Sequence, residues 1–88
     1  MAETWRVIIA RDPQRYLLKL PRNARERLVQ AIDALAMDPR PHDCVKLTAR
    51  NLYRIRRGGW RIIYAVRDAE LVVLVVEVGP RGDVYRRV

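Results

Sequence analysis

The chain has 88 residues, half of them hydrophobic, and its 18 lysines and arginines against 10 acids give a formal net charge of +8. This length predicts one domain over residues 1–88, and the hydrophobic content excludes a disordered chain. The charge predicts a polyanionic partner, namely nucleic acid, an anionic membrane face or an acidic protein. Lysine occurs only at Lys19 and Lys46. Because the planar arginine fork matches phosphate, this composition favours phosphate recognition.

The cysteine content and the apolar runs bear on location. Cys44 is the single cysteine, so no internal disulfide can form and a cytoplasmic location is expected. The N-terminal apolar run, 7–10, is short, so we expect no signal peptide. The longest apolar run, 71–76, is far below the ~20 residues that span a bilayer, so we expect no membrane-spanning segment. Among the polyanions, we expect a membrane not to be the partner.

The first half of the chain predicts one strand and two helices. Residues 5–9 are rich in β-branched side chains and predict a strand. Asp12-Pro13 predicts an N-cap followed by proline at the first position of a helix of about two turns. A second helix is expected to begin at Pro21 and to end at Asp38-Pro39, with residues 39–50 as a polar loop. Its apolar stripe is Ala24, Leu28, Ala31 or Ile32, and Leu35.

The second half predicts three strands, over 52–57, 60–67 and 70–78. Gly58-Gly59 is a two-residue turn signal between the first two, and Asp68-Ala69 is a weaker one between the last two. The valine-rich third strand is typical of a central strand that is buried on both faces. We therefore predict an α+β fold in the order β-α-α-β-β-β, with two helices on one face of a mostly antiparallel four-stranded sheet.

The turn at Gly58-Gly59 fixes how its two strands pair. It places Arg56 opposite Arg61, and Arg54 lies on the same face because side chains alternate along a strand. We call Arg54, Arg56 and Arg61 the arginine face. The opposite face, on which the helices are expected to pack, carries Tyr53, Ile55, Ile62 and Tyr64.

Like charges that face each other destabilise a sheet by at most ~1 kcal/mol, so a basic face that only keeps the protein soluble is one interpretation. Two features favour a partner site instead. Arg81, Tyr85 and Arg86 follow the third strand, and the turn before them can bring them beside Arg61. Pairing through Asp68-Ala69 would also place an apolar patch beside the arginine face, and such patches mark partner sites. The patch would contain Ile63, Ala65, Val72, Leu74 and Val76.

At this point the sequence resembles a known family. The stretch YRIRRGGWRIIYAVRDAELVVLVVEVGPRGDVYRRV, residues 53–88, resembles the C-terminal half of the RelE/ParE toxins of bacterial type II toxin–antitoxin systems. The shared pattern is a basic strand, a Gly-aromatic-Arg hairpin, and a valine-rich strand that ends in Val-Gly-x-Arg before a Val-Tyr pair. LPRNARERLVQAIDALAMDPRP, residues 20–41, resembles the family's helix pair. The RelE branch consists of mRNA interferases that cut messenger RNA in the ribosomal A site.

The resemblance also implies site residues. The family's essential hairpin arginine matches Arg61, the arginine after Val-Gly matches Arg81, and the C-terminal tyrosine matches Tyr85. The family's basic pair falls on two arginines of the preceding strand, where the best-known members carry lysines. Arginine is a poor acid or base near neutral pH. We therefore expect phosphate or ribosomal RNA binding by a basic set: Arg54, Arg56, Lys46 and Arg86.

The residue types agree with a nuclease that uses no metal and no cofactor. His42 stands alone in a loop, and no acidic cluster has metal-ligand spacing. RNA supplies its own nucleophile, the 2′-hydroxyl, so cleavage needs alignment, charge stabilisation and a route for protons. Arg61 and Arg81 can hold the scissile phosphate and stabilise its added charge. Tyr85 can act as base or acid, stack on a nucleobase, or anchor the tail on the sheet.

The expected function is therefore that of a toxin that cleaves mRNA on the ribosome. Its expected partners are a cognate antitoxin protein and the ribosome with its mRNA, with the antitoxin on the apolar end of the arginine face or on the helix pair. Three alternatives stay open: a ParE-like toxin that inhibits DNA gyrase, a non-catalytic RNA-binding module, and an inactive toxin remnant.

Overall fold

The computed structural model describes residues 4–47 and 51–80. Its strands form one sheet in the order β1-β5-β4-β3-β2, in which β1 is parallel to β5 and all other neighbours are antiparallel. The predicted α+β class is confirmed. The helices are α1 (Arg11–Leu18) and α2 (Arg22–Ala34), and the strands are β1 (Arg6–Ile9), β2 (Val45–Lys46), β3 (Leu52–Arg57), β4 (Trp60–Arg67) and β5 (Val72–Pro80).

The predicted strand count of four was wrong for the described residues, which contain five strands. The extra strand, β2, lies inside the segment 39–50 that the sequence predicts to be a loop. It has two residues and pairs only with Tyr53 and Arg54 of β3. A two-residue strand leaves no detectable alternation, so its formation depends on the neighbouring strand rather than on local sequence.

The helix boundaries also differ from the prediction. The N-cap of α1 is Ala10 rather than Asp12, because the Ala10 amide still donates to Val75 O at 2.9 Å and the helix begins directly afterwards. Pro13 is therefore the third helical residue, where its missing N–H removes no intrahelical bond. Helix α2 begins at Arg22, one residue after the predicted Pro21, which lies at the N-cap position. That helix ends at Ala34, before Asp38-Pro39, because the next three residues form tighter i→i+3 hydrogen bonds.

The hydrophobic core lies between the helices and one face of the sheet. The four side chains predicted for that face, from Tyr53 to Tyr64, are all buried, which confirms their placement. A helix of eight residues such as α1 is marginal alone in water, and it is held here by buried Leu17 and by an edge-to-face contact of Tyr16 with Trp60. No helix of residues 4–47 and 51–80 is long and apolar enough to cross a membrane. The buried core is Leu17, Leu28, Ile32, Leu35, Tyr53, Ile55, Ile62, Tyr64, Val66, Val73, Val75 and Val78.

The register of β5 differs from the prediction by two residues. A 3-10 turn over Asp68–Glu70 and a left-handed Leu71 (φ 56°) connect β4 to β5, so the strand runs over Val72–Pro80 rather than 70–78. The predicted break at Gly79-Pro80 was therefore wrong, because Pro80 still pairs with Trp60. A shift by two residues keeps every side chain on the same face of the sheet. Val72 and Leu74, in the first half of β5, therefore lie on the arginine face as predicted.

A β-bulge in β5 then reverses the facing of its second half. Tyr64 pairs with Val75 and Ile63 pairs with Glu77, so Val76 is the extra residue. Without the bulge, Glu77 would lie on the helix-covered face. With it, Glu77 and Gly79 lie on the same face as Arg61, and Gly79 is the direct partner of Arg61.

Candidate functional site

The hairpin of β3 and β4 builds the arginine face as the sequence predicts. Gly58 adopts φ +61°, which the tight turn requires and which side chains rarely allow. The observed pairs include Arg56 with Arg61 and Arg54 with Ile63, so the predicted register is confirmed. The three arginines differ in surroundings, since Arg56 is exposed, Arg54 is half-buried and Arg61 is only 3% exposed.

The guanidinium of Arg61 is enclosed by strand β5. Its Nη2 donates to a carboxylate oxygen of Glu77 at 2.6 Å, and its Nη1 donates to the carbonyl of Pro80 at 2.5 Å. Its buried Nε has no hydrogen-bond partner among the described residues. Arginine opposite arginine is therefore tolerated because Glu77 compensates the buried charge, whereas Arg56 is solvated.

Two backbone features create room for this arrangement. A Cβ atom added to Gly79 would lie 2.7 Å from Nη1 of Arg61, so the guanidinium rests directly on the strand backbone. Glycine in a strand often marks such a close approach. The bulge at Val76 brings Glu77 to the face on which Arg61 lies. Bulges often re-aim side chains beside functional sites.

A pocket of about 380 Å³ opens beside Arg61, between the start of α1 and the end of β5. Strand β1 pairs with β5 only as far as Val75, so on that edge the last five residues of β5 have no strand of the described chain beside them, and the start of helix α1 lies there instead. The wall therefore combines one buried cation with carboxylates and an aromatic ring. Residues lining it include Asp12, Tyr16, Arg61, Glu77, Gly79 and Pro80.

The other predicted site residues fall elsewhere. Lys46 is exposed and pairs with Tyr53, so it lies on the sheet face opposite to Arg54 and Arg61, and the structure does not bring it to the arginine face. Arg81, Tyr85 and Arg86 lie outside the described residues.

The apolar end of the arginine face is smaller than predicted. Ile63 and Val72 are buried, at 6% and 7% exposed, and do not belong to an open patch. A groove of about 640 Å³ remains at this end of the sheet. Its half-buried apolar lining is Leu52, Ala65, Leu74 and Val76.

A second arginine cluster lies at the other end of β4. Arg40 forms two hydrogen bonds with the Asp68 carboxylate, at 2.8 and 3.1 Å, donates to the Tyr53 hydroxyl at 2.9 Å, and stacks over that ring. The hydrogen bonds from Arg40 hold the pKa of Asp68 below its usual value. Tyr53 stacks on Tyr64, whose hydroxyl donates to Pro39 O at 2.8 Å, and burial raises the pKa of Tyr64. This Arg40 cluster fastens the segment after α2 to the sheet.

His42 makes no hydrogen bond with either arginine cluster among the described residues, whereas Cys44 interacts with Tyr64 and helps to raise the pKa of Tyr64. His42 is exposed in a turn, and Cys44 is a half-buried free thiol. Within residues 4–47 and 51–80, no group of three histidine, cysteine or acidic side chains is placed to hold a metal ion.

Sequence reasoning missed the partners of Arg61. The predicted register placed Val76 opposite Arg61, because neither the longer turn nor the bulge leaves a clear sequence signal. The one available signal was Gly79, a glycine within three residues of an acid at the end of an otherwise valine-rich strand.

Comparisons with known proteins agree on one family. The model for the ParE toxin of type II toxin–antitoxin systems (parDE) matches residues 7–85. No curated protein sequence matches the chain.

Comparison with solved structures leads to the same family. The chain is similar to RelE in the archaeal RelE–RelB complex from Pyrococcus horikoshii, with 32% identity, a TM-score of 0.81, and coverage of 91% of this chain and 98% of that one. It is also similar to the isolated RelE toxin of E. coli, with 28% identity, a TM-score of 0.75, and coverage of 93% and 92%. A third match is the intact E. coli RelBE toxin–antitoxin complex, at 26% identity, TM-score 0.76, and coverage of 86% and 95%. With the fold, the hairpin and the family model in agreement, the chain belongs to the RelE/ParE superfamily of type II toxins.

Proposed function

We propose that this protein is a ribosome-dependent mRNA interferase, which cleaves mRNA in the A site by attack of the RNA 2′-hydroxyl without a metal ion. The observation that carries the proposal is Arg61, a nearly buried guanidinium in the wall of a pocket, on the same sheet face as Arg54 and exposed Arg56. A positively charged group that is fixed in position and itself shielded from water stabilises the charge that develops on a phosphorane better than a mobile surface charge does.

The proposed roles follow from this arrangement. Arg61 and Arg81 hold the scissile phosphate, and Tyr85 transfers a proton or stacks on the adjacent base. Arg54 and Arg56 hold neighbouring phosphates or ribosomal RNA. The roles of Arg81, Tyr85 and Arg86, which lie outside the described residues, and that of Lys46 are proposed from the sequence.

The proposal includes two partners. One is the ribosome with its mRNA, and the other is a cognate antitoxin, as in the RelE–RelB and RelBE complexes of the similar proteins. The half-buried apolar groove, whose rim carries Arg67, Asp68 and Glu70, suits the apolar side of an amphipathic segment of such an antitoxin. We treat residues 1–88 as one toxin domain that acts in the cytoplasm.

Primer extension on mRNA bound to programmed ribosomes tests the proposal. We expect the wild-type protein to cut at codon positions in the A site, and Arg61→Ala to lower the single-turnover rate by about 100-fold, as loss of one preorganised charge donor does. Arg15→Ala removes the same charge from an exposed position on α1 and serves as the control. Intact message with the wild-type protein would refute the proposal.

A second candidate function is inhibition of DNA gyrase. Two observations favour it. The matching family model describes the ParE toxin, and the Arg61 guanidinium is already bound to the Glu77 carboxylate rather than open to a phosphate. A supercoiling assay with purified gyrase separates the two functions, since inhibited supercoiling with uncut mRNA supports the second. Tight binding of free RNA with neither effect would indicate a non-catalytic RNA-binding module.

A further inference from the structure

The Arg61 guanidinium, which the proposed function assigns to phosphate, already holds an anion. The Glu77 carboxylate accepts from Nη2 at 2.6 Å, a short distance typical of strong charge-assisted hydrogen bonds. Nη1 is committed to Pro80 O, and its position is fixed by the backbone of Gly79. A phosphate oxygen that approaches Nη2 therefore meets a site that is filled.

The two partners differ in their access to water. The side chain of Arg61 is 3% exposed, whereas that of Glu77 is 36% exposed. Both line the same pocket. The carboxylate can therefore leave Arg61 and remain solvated. The Arg61 guanidinium is enclosed by the backbone of β5 and has no such freedom to move. Exchange of anions at this site must proceed by movement of Glu77.

A carboxylate and a phosphate present the same kind of oxygen to a guanidinium. We propose that Glu77 is an internal competitor for the phosphate site at Arg61, occupying with one oxygen the position that a phosphodiester oxygen takes, and that RNA binding displaces it. This inference rests on the proposed function. Glu77 is then a specificity-determining residue: a ligand whose phosphate is not held by further contacts fails to displace it, and ribosome-held message succeeds.

Inorganic phosphate, titrated by NMR or calorimetry, tests the competition without ribosomes. Glu77→Gln keeps the size of the side chain but removes its charge. We expect the variant to bind phosphate about tenfold more tightly than wild type, the value of one charge-assisted hydrogen bond that no longer has to be broken. Because the buried Arg61 charge then lacks its partner, the variant should also melt at a lower temperature, and phosphate should raise its midpoint more than that of wild type.

Two control variants separate contact from net charge. Glu70→Gln makes the same change of charge at an exposed position in the turn before β5, and it should bind phosphate as wild type does. Asp12→Asn removes a carboxylate from the same pocket wall without touching Arg61 in the described contacts, and it should give a smaller gain than Glu77→Gln. Equal affinities of Glu77→Gln and wild type, or an equal gain from Asp12→Asn, would overturn the inference.

If Glu77→Gln does not fold, the wild-type chain answers the question. The ¹³C signal of the Glu77 carboxyl group should shift and saturate together with phosphate binding, and an unchanged signal at saturation would overturn the inference. These outcomes are independent of mRNA cleavage. Failure of the wild-type protein to cut message would remove the proposed function but leave the anion competition measurable.

Discussion

Two arginine–carboxylate pairs lie at opposite ends of strand β4, and they have nearly the same length. Arg61 contacts Glu77 at 2.6 Å, and Arg40 contacts Asp68 at 2.8 Å. The pair at Asp68 is open to water, with side chains 38% and 60% exposed, and Arg40 also uses Nε to bond the Tyr53 hydroxyl. Arg61 is enclosed, and its Nε lacks a partner among the described residues. A short ion pair therefore does not by itself identify a functional arginine.

The surroundings distinguish the two roles. All three nitrogens of the Arg40 guanidinium bond the protein's own groups, and its face covers a ring, so it has little left to offer a ligand. Arg61 lies in a pocket wall beside a movable carboxylate. The comparison predicts that damage at the Arg61 end affects activity as well as stability, whereas damage at the Arg40 end affects stability alone.

Gly79→Ala should produce the largest effect. The new Cβ would lie 2.7 Å from Nη1 of Arg61, and the end of a long side chain yields more easily than the backbone. We expect the guanidinium to move, with a loss of about 100-fold in the rate of mRNA cleavage, as for a catalytic group displaced by about 1 Å. The melting temperature should also fall, because the buried charge shifts away from Glu77 and Pro80 O.

Gly59→Ala is the matched control, because nothing lies within 4 Å of a Cβ at that position. Rates are compared at saturating ribosome, so that weaker binding is not counted as slower chemistry. If Gly79→Ala cleaves as fast as Gly59→Ala, the placement of the Arg61 guanidinium on the strand is unimportant, and the contrast between the two ends of β4 is lost.

The arginine face could be predicted from the sequence because a local signal fixes it. Gly58-Gly59 permits only a two-residue turn, and such a turn determines every pair of the β3–β4 hairpin. The β4–β5 hairpin has no such signal, since its connection uses a 3-10 turn and a left-handed Leu71. In a run of valines, sliding the register still presents apolar side chains. The bulge at Val76, and with it the contact of Glu77, therefore escaped prediction.

Tyr64→Phe should have an intermediate effect, on stability alone. The buried hydroxyl donates to Pro39 O at 2.8 Å, and a buried hydrogen bond of this kind contributes about 1 kcal/mol. Burial raises the pKa of Tyr64 above its ordinary value of 10.0. From about pH 10 upward the unfolded chain therefore loses a proton that the folded chain keeps, and stability falls as the pH rises.

Urea unfolding at pH 7 and at pH 11 measures both parts of this effect. The variant should be less stable than wild type at pH 7, and it should lose less stability between the two values, because phenylalanine has no proton to release. A variant that loses as much as wild type on going to pH 11 would show that another group controls the alkaline transition.

Asp68→Asn should have the smallest effect, and it tests the Arg40 end directly. The hydrogen bonds from Arg40 lower the pKa of Asp68, so its contribution is present above the ordinary value of 3.8 and is lost as the pH falls below that value. We expect a slightly lower melting temperature at pH 7, a shallower loss of stability below pH 4, and unchanged cleavage of mRNA. The effect is small because water solvates both partners and screens their attraction.

Asp43→Asn provides the comparison for that last variant. Asp43 accepts from Arg57 at 2.8 Å, and this hydrogen bond also lowers its pKa, but Arg57 makes no contact with the Arg40 cluster in the described hydrogen bonds. Both variants remove one exposed carboxylate that lies next to one arginine. If each pair is merely solvated, both variants should show the same small decrease in melting temperature. A larger loss in Asp68→Asn would mean that Arg40, Tyr53 and Asp68 act as a coupled network. A loss of mRNA cleavage in Asp68→Asn would mean that the Arg40 end of β4 also contributes to the active site, against the contrast drawn between the two ends.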